Sequence, residues 1–172
     1  MIQIDKTDKL YKYLCGLKVD DIDKLYLELA SNGRSSNKEI KEYFYADFDA
    51  PNIDTSFLQD NSLALDYFKD IKRCKVLSSA TINKKLKEFK NTLNKGLLEE
   101  IVNSKLVDVF YLSVCFKFNH KELNLMDIIQ NANFGLIEAI KRYDETSRIS
   151  IDDYILFYVR KALLEYKEKN NG

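Results

Sequence analysis

Proline and glycine are scarce in this 172-residue chain, which has one Pro and five Gly. Leu, Ile, Lys, Glu and Asp dominate instead, and most of these residues are compatible with helices. The composition therefore predicts an all-α protein and disfavours folds that depend on many turns. The length is sufficient for one or two small domains with a buried core.

Cysteine and histidine are too few and too dispersed for a metal site or a disulfide framework. Cys15, Cys74 and Cys115 are odd in number, widely spaced and without a C-x-x-C pair, which predicts reduced core thiols in a cytosolic protein. His120 is the only histidine, so the usual zinc ligand set cannot be assembled. There is also no Gly-rich phosphate loop and no nucleophile with a partner base, so we expect no cofactor and no enzymatic activity.

Long apolar runs and an excess of charge of one sign are also lacking. No segment reaches about 18 uninterrupted apolar residues, and the first residues lack a signal-peptide pattern. We therefore expect a cytoplasmic protein that does not bind membranes. The 27 basic and 27 acidic side chains give a formal net charge of zero, so nucleic-acid affinity of the chain alone should be modest.

Residues 1–75 are predicted to form an N-terminal helical domain with an acidic linker. Apolar stripes predict short helices over residues 5–15 and 20–31. Ser36 and Glu39 then stand in a capping-box arrangement at the start of another helix. This outline fits either a helix-turn-helix or a plain helical hairpin.

The acidic linker spans residues 46–70 and carries one basic residue, Lys69, against six aspartates. Pro51 interrupts it, and apolar residues near its end predict a further helix. Its charge would allow it to lie as a flap over the C-terminal half and screen that half from DNA.

The stretch from Leu123 to Asp144 predicts a capped amphipathic helix. Asn124 can accept a hydrogen bond from an early backbone N–H, and Asp127 places negative charge at the positive end of the helix dipole. Apolar residues at helical spacing mark a core face. That core face consists of Leu125, Ile128, Ile129, Ala132, Leu136, Ala139, Ile140 and Tyr143.

A second side of this helix, called the amide-rich face below, consists of Asp127, Gln130, Asn133 and Ile137. Its side chains are short, and an apolar residue lies among them. Amides offer a donor and an acceptor in fixed geometry, which suits a partner surface. An ordinary solvent-facing surface is the alternative interpretation.

The same stretch resembles the most characteristic helix of the bacterial sigma-70 family of RNA polymerase sigma factors. The identities to the family pattern are Asp127, Ile129, Gln130, Asn133, Gly135, Leu136, Ala139, Tyr143 and Asp144. Asn131 and Ala132 depart from it, where Glu and Gly are usual. In the family this helix docks the initiation factor onto the polymerase core, so the resemblance implies that the amide-rich face binds polymerase.

Upstream of this helix the resemblance is looser. Ser78 or Ser79 is predicted to cap a helix that runs to about Asn91. In the next segment Lys105 stands where the family usually has Asn, and Val107 where it usually has Arg.

Residues 149–163 resemble the family segment that opens promoter DNA. Tyr154, Arg160 and Ala162 are identities, and Phe157 and Tyr158 take the places of two tryptophans. A flipped base needs a flat apolar surface, and stacking on it contributes about 1–3 kcal/mol.

Tyr154, Phe157 and Tyr158 are spaced to share one helix face, apart from a core face that includes Ile155 and Val159. We therefore expect an aromatic platform for single-stranded −10 promoter DNA. The resemblance adds Arg160 and Lys161 as DNA contacts. The alternative is that Phe157 and Tyr158 merely pack.

Two departures in this segment weaken the expectation of promoter melting. Asp152 and Asp153 replace a Ser-Thr pair, so negative charge stands where a phosphate backbone would approach. Ile149 and Ile151 replace aromatic residues. Polymerase binding is therefore better supported by the sequence than DNA opening.

Together these patterns predict an all-α, sigma region 2-like multi-helix bundle over residues 76–172, preceded by the small helical domain. The resemblance implies a transcription initiation factor that binds the RNA polymerase core and −10 promoter DNA, with a second sigma-like subunit or an anti-sigma regulator as further partners. A sigma-derived regulator that docks without opening promoters is the alternative, and a helical bundle with a residual pattern is a third. The resemblance covers about residues 77–169 without the family's C-terminal module, so we expect a piece of a longer protein or a half that works with a second chain.

Overall fold

The computed structural model describes residues 61–144 and 150–171, which form five α-helices and contain no strand. The helices are α1 Ser62–Ile71, α2 Ser79–Thr92, α3 Lys95–Asn119, α4 Leu125–Arg142 and α5 Ile151–Asn171. The all-α prediction is confirmed for this part of the chain. The helices predicted within residues 5–44, together with Cys15, Pro51 and Ile149, lie outside the described residues.

Polar side chains cap the N-terminal ends of these helices. They accept hydrogen bonds from backbone N–H groups that have no partner within the helix. Ser78, rather than Ser79, caps α2, and its hydroxyl accepts a hydrogen bond from the N–H of Thr81 at 3.2 Å. The side chain of Asn124 caps α4 and accepts from the N–H of Asp127 at 3.1 Å. The predicted start of α4 is therefore confirmed.

The main core lies between α2, α3, α4 and α5. Fully buried residues at its centre include Ile82 of α2, Phe116 of α3, Leu136 of α4 and Val159 of α5. Every residue predicted for the core face of α4 is buried. That face attaches α4 to the bundle and leaves the amide-rich face at the side.

A smaller apolar cluster attaches α1 to the outer side of α3 and α4. Ala64 and Ile71 of α1 are buried in it, and the ring of Phe68 stacks on Phe110 of α3 with 4.9 Å between ring centroids. Residues 62–71, which the sequence placed in the N-terminal domain, therefore pack on the C-terminal bundle. A boundary at 75/76 does not separate α1 from that bundle.

The loop between α3 and α4 is held by a lysine. The ammonium of Lys117 donates to the carbonyl oxygens of Lys121 and Leu123, each at 2.6 Å. Leu123 itself is buried. These contacts fix the direction in which the chain enters α4.

None of the helices within the described ranges combines the length and apolar character needed to cross a bilayer.

Cys74 and Cys115 were predicted to be core residues. The structure places both of them in half-buried positions instead.

Candidate functional site

The amide-rich face of α4 lies at the surface of the bundle, but its four members differ in accessibility. Asp127 and Gln130 are exposed, whereas Asn133 and Ile137 are half-buried. The helix repeat of 3.6 residues places Gln130 and Ile137 on one side, with Asp127 and Asn133 at its two edges. The structure therefore brings the predicted residues together as one continuous strip.

Asp127 is positioned from two directions. It lies in the first turn of α4, where a carboxylate interacts favourably with the helix dipole. The hydroxyl of Tyr166 on α5 donates to its Oδ2 at 3.4 Å. Burial, and to a smaller extent the charge of Asp127, raises the pKa of Tyr166 above 10.0. The phenol therefore stays protonated at neutral pH and can orient this carboxylate.

Asn133, at the other edge of the strip, is bonded to α1. Its Nδ2 donates to the hydroxyl oxygen of Tyr67 at 2.9 Å. Burial raises the pKa of Tyr67 above 10.0, and the hydrogen bond from Asn133 partly offsets that effect. Helix α1 therefore borders the amide-rich face directly. The hydrogen bond joins residues 66 positions apart, and no sequence pattern indicated it.

Gly135 belongs to the same motif, but its role is in packing. A Cβ atom at this position would lie 2.6 Å from the carbonyl oxygen of Tyr158 and 2.9 Å from the Cα of Val159. The backbones of α4 and α5 therefore approach so closely that only glycine fits. This residue sets the position of the helix that carries the predicted DNA contacts.

The predicted aromatic platform on α5 is buried. Tyr154, Phe157 and Tyr158 are exposed by 4%, 2% and 1%, and Ile155 and Val159 on the expected core face are buried as well. The expectation that these rings lie outside the core is therefore wrong for this conformation. The physical reason is that residues 154–159 are all buried, so this stretch of α5 has no separate solvent face.

The buried rings form a connected cluster with two cations at its edge. The hydroxyl groups of Tyr154 and Tyr158 lie 3.3 Å apart, and the ring of Tyr143 packs 5.5 Å from that of Tyr154. The Nζ of Lys161 lies 5.6 Å and the Cζ of Arg142 5.9 Å from the Tyr158 ring centroid, within the range of cation–π attraction. Arg142, which sequence reasoning missed, thus joins Lys161 beside the aromatic cluster.

The acidic pair at the start of α5 has a structural role. The Asp152 carboxylate pairs with the ammonium of Lys105 on α3 at 2.7 Å, and Lys105 is buried. The hydroxyl of Ser150 accepts a hydrogen bond from the N–H of Asp153, so both acids occupy the first turn of a capped helix. Two departures from the family pattern, at positions 105 and 152, therefore compensate each other in charge.

A family model described as Sigma-70 region 2 matches residues 108–172, from the middle of α3 to the end of α5. The matched range contains the amide-rich face, the Gly135 contact and the aromatic cluster. Residues 108–172 are therefore similar to sigma-70 region 2.

Two sigma factors are similar to parts of this chain. The RNA polymerase principal sigma factor HrdC of Streptomyces coelicolor is 33% identical over 52 residues, which cover 30% of this chain and 15% of that protein. The RNA polymerase sigma factor SigA1 of Synechococcus elongatus is 28% identical over 87 residues, covering 49% of this chain and 21% of that protein. The matched parts are thus a small share of the relatives' length. No solved structure gives a significant match.

Proposed function

We propose that this chain is a sigma-70-type transcription initiation factor that binds the RNA polymerase core through the amide-rich face of α4. The observation that carries the proposal is the geometry of that face. Asp127 and Gln130 are exposed while the opposite side of α4 is anchored in the core. Both relatives are named as RNA polymerase sigma factors, which supports polymerase as the partner.

A titration with bacterial core RNA polymerase tests this proposal. Gln130→Ala removes an exposed amide from the centre of the face, so we expect several-fold weaker binding of a variant whose stability changes by no more than about 0.5 kcal/mol. Asn83→Ala removes an exposed amide from α2, away from the face, and should bind like the wild type. Equal affinities of all three proteins would contradict the assignment.

The finer part of the proposal concerns single-stranded −10 promoter DNA. Lys161 and Arg142 lie beside the Tyr158 ring, and the half-buried Arg160 precedes Lys161 on α5, so these three cations could meet a phosphate backbone. Tyr154, Phe157 and Tyr158 could stack bases only if the polymerase or the DNA first drew them out of the core. Base stacking of about 1–3 kcal/mol per ring would have to offset that change.

The alternative function is a sigma-derived regulator that occupies the docking site, or pairs with another sigma-like or anti-sigma protein, without opening DNA. The burial of the three aromatic rings is the observation that favours it. Permanganate footprinting on an AT-rich promoter separates the two functions. Reactive thymines in the wild-type polymerase complex support an initiation factor. A wild type that docks, competes with an authentic sigma factor and never yields a bubble supports the regulator.

A further inference from the structure

Phe134 is a large apolar side chain that the structure leaves in solvent. It lies on α4, and 61% of its surface is exposed. It follows Gln130 by one helical turn and precedes Ile137 by three residues, so it projects from the same side of the helix as both. The sigma-70 pattern assigns this position no role, because it fixes Asn133 and Gly135 but leaves the residue between them open.

The surroundings of Phe134 resemble the anatomy of a protein interface. Aromatic residues are enriched at the centres of interfaces, and polar residues form the rim. Here the phenyl group lies between Asp127 near the start of α4 and the exposed Lys141 near its end, with Gln130 one turn away. An isolated exposed apolar residue is common on protein surfaces, but this one lies between Asp127 and Gln130 around the helix axis, within the strip proposed to bind polymerase.

We propose that Phe134 is the central anchor of the polymerase interface and that its ring inserts into an apolar socket on the polymerase core. This inference rests on the docking function proposed above. The amide and carboxylate groups around the ring would then set orientation and exclude water, while burial of the phenyl group makes the largest single side-chain contribution to affinity. The partner surface must accordingly present an apolar depression bordered by polar groups.

The test is a titration of the full chain against bacterial core RNA polymerase. Anchor residues at interface centres typically contribute at least about 2 kcal/mol on truncation. We therefore expect Phe134→Ala to bind about 30-fold more weakly, at about 1.4 kcal/mol per tenfold. Phe134→Leu keeps much of the apolar volume and should recover part of the loss.

Phe118→Ala is the matched control. Phe118 is 49% exposed on α3 and belongs to no predicted contact surface, so its truncation should leave affinity unchanged. Thermal unfolding of all variants by circular dichroism should give wild-type midpoints, because neither phenyl group is in the core.

The outcomes distinguish the anchor from the docking function. If Gln130→Ala weakens binding and Phe134→Ala does not, docking stands and the anchor is refuted. If the wild type binds but neither substitution matters, both the anchor and the amide-rich face are refuted. If the wild type does not bind core polymerase, the proposed function fails, and the anchor with it.

Discussion

At the residue scale, the close approach of α5 to Gly135 leaves room for a hydrogen atom but not for a methyl group. A methyl group there would overlap backbone atoms of α5 rather than a flexible side chain. We predict that Gly135→Ala lowers the free energy of unfolding by about 1–3 kcal/mol, although alanine favours the helical state by about 1 kcal/mol. Urea denaturation measures this. Gly96→Ala is the control, because the nearest atom to its Cβ is the side-chain Oδ1 of Asn94 at 3.2 Å, which can move. Equal stability of the two variants would contradict the close approach.

A second residue-scale feature is the ion pair between Lys105 and Asp152. Removing the carboxylate leaves a buried ammonium without its partner, but Asp152 is 58% exposed, so solvent screens the pair. We therefore predict that Asp152→Asn costs about 1 kcal/mol, less at high salt. A double-mutant cycle with Lys105→Met isolates the coupling between the two residues. A coupling energy of zero would show that the pair itself contributes nothing to stability.

At the element scale, α1 is held to the bundle by rings rather than by charge. Asp66 and Asp70 are exposed, so the described part of the acidic linker does not direct its carboxylates at the basic groups of the C-terminal half. The expected electrostatic flap is not seen for this part, since the apolar side of α1 makes the contact and the acids face solvent.

The attachment of α1 can be tested by truncating its rings. Phe68 is half-buried and stacks on Phe110, so Phe68→Ala should lower the free energy of unfolding by about 2 kcal/mol, below the range for a fully buried ring. Leu63→Ala on the same helix should change it by less than about 0.5 kcal/mol, because Leu63 is 68% exposed. Chemical denaturation compares them. A larger effect of Leu63→Ala would mean that α1 presents a different side to the bundle.

Because residues 154–159 of α5 are all buried, substitutions there change the stability of the fold and cannot isolate a DNA contact. Phe157→Ala and Tyr158→Ala would each leave a cavity in the main core and cost about 3–5 kcal/mol. A loss of DNA opening in such variants would report misfolding rather than a lost base contact. Arg160→Ala with Lys161→Ala is the better test of DNA contact, because both side chains reach the surface. We expect weaker promoter binding by the polymerase complex with a shallower salt dependence.

At the scale of the whole molecule, the two apolar clusters share α3 and α4. Leu106 packs against both of them. We predict that Phe110→Leu in the smaller cluster and Ile82→Val in the larger one lower the same unfolding midpoint, without creating a second transition over the described helices. Far-ultraviolet circular dichroism and tyrosine fluorescence should report coincident curves. Two separate transitions would show that α1 and its cluster unfold independently.

Local sequence was enough to predict the starts of α2 and α4 and the core face of α4. Local hydrogen-bonding chemistry explains this, because Ser78 and Asn124 can cap only the turn that follows them, and apolar residues at a 3.6-residue period can bury only one side of an isolated helix. The sigma resemblance followed from the same stretch. It selected Asp127, Gln130, Asn133 and Ile137, and the structure brings these four together on one strip.

The burial of the rings, the pairing of the charges and the position of α1 depend on contacts between helices that are distant in sequence. Periodicity assigns one buried face to each helix, so it could not show that residues 154–159 are all buried, Tyr154, Phe157 and Tyr158 among them. Contacts between residues far apart in sequence, such as Lys105 with Asp152 and Tyr67 with Asn133, leave no local signal. The exposure of Phe134 has the same origin, since a phenyl group on a helix is assigned to core or surface only when the neighbouring elements are in place.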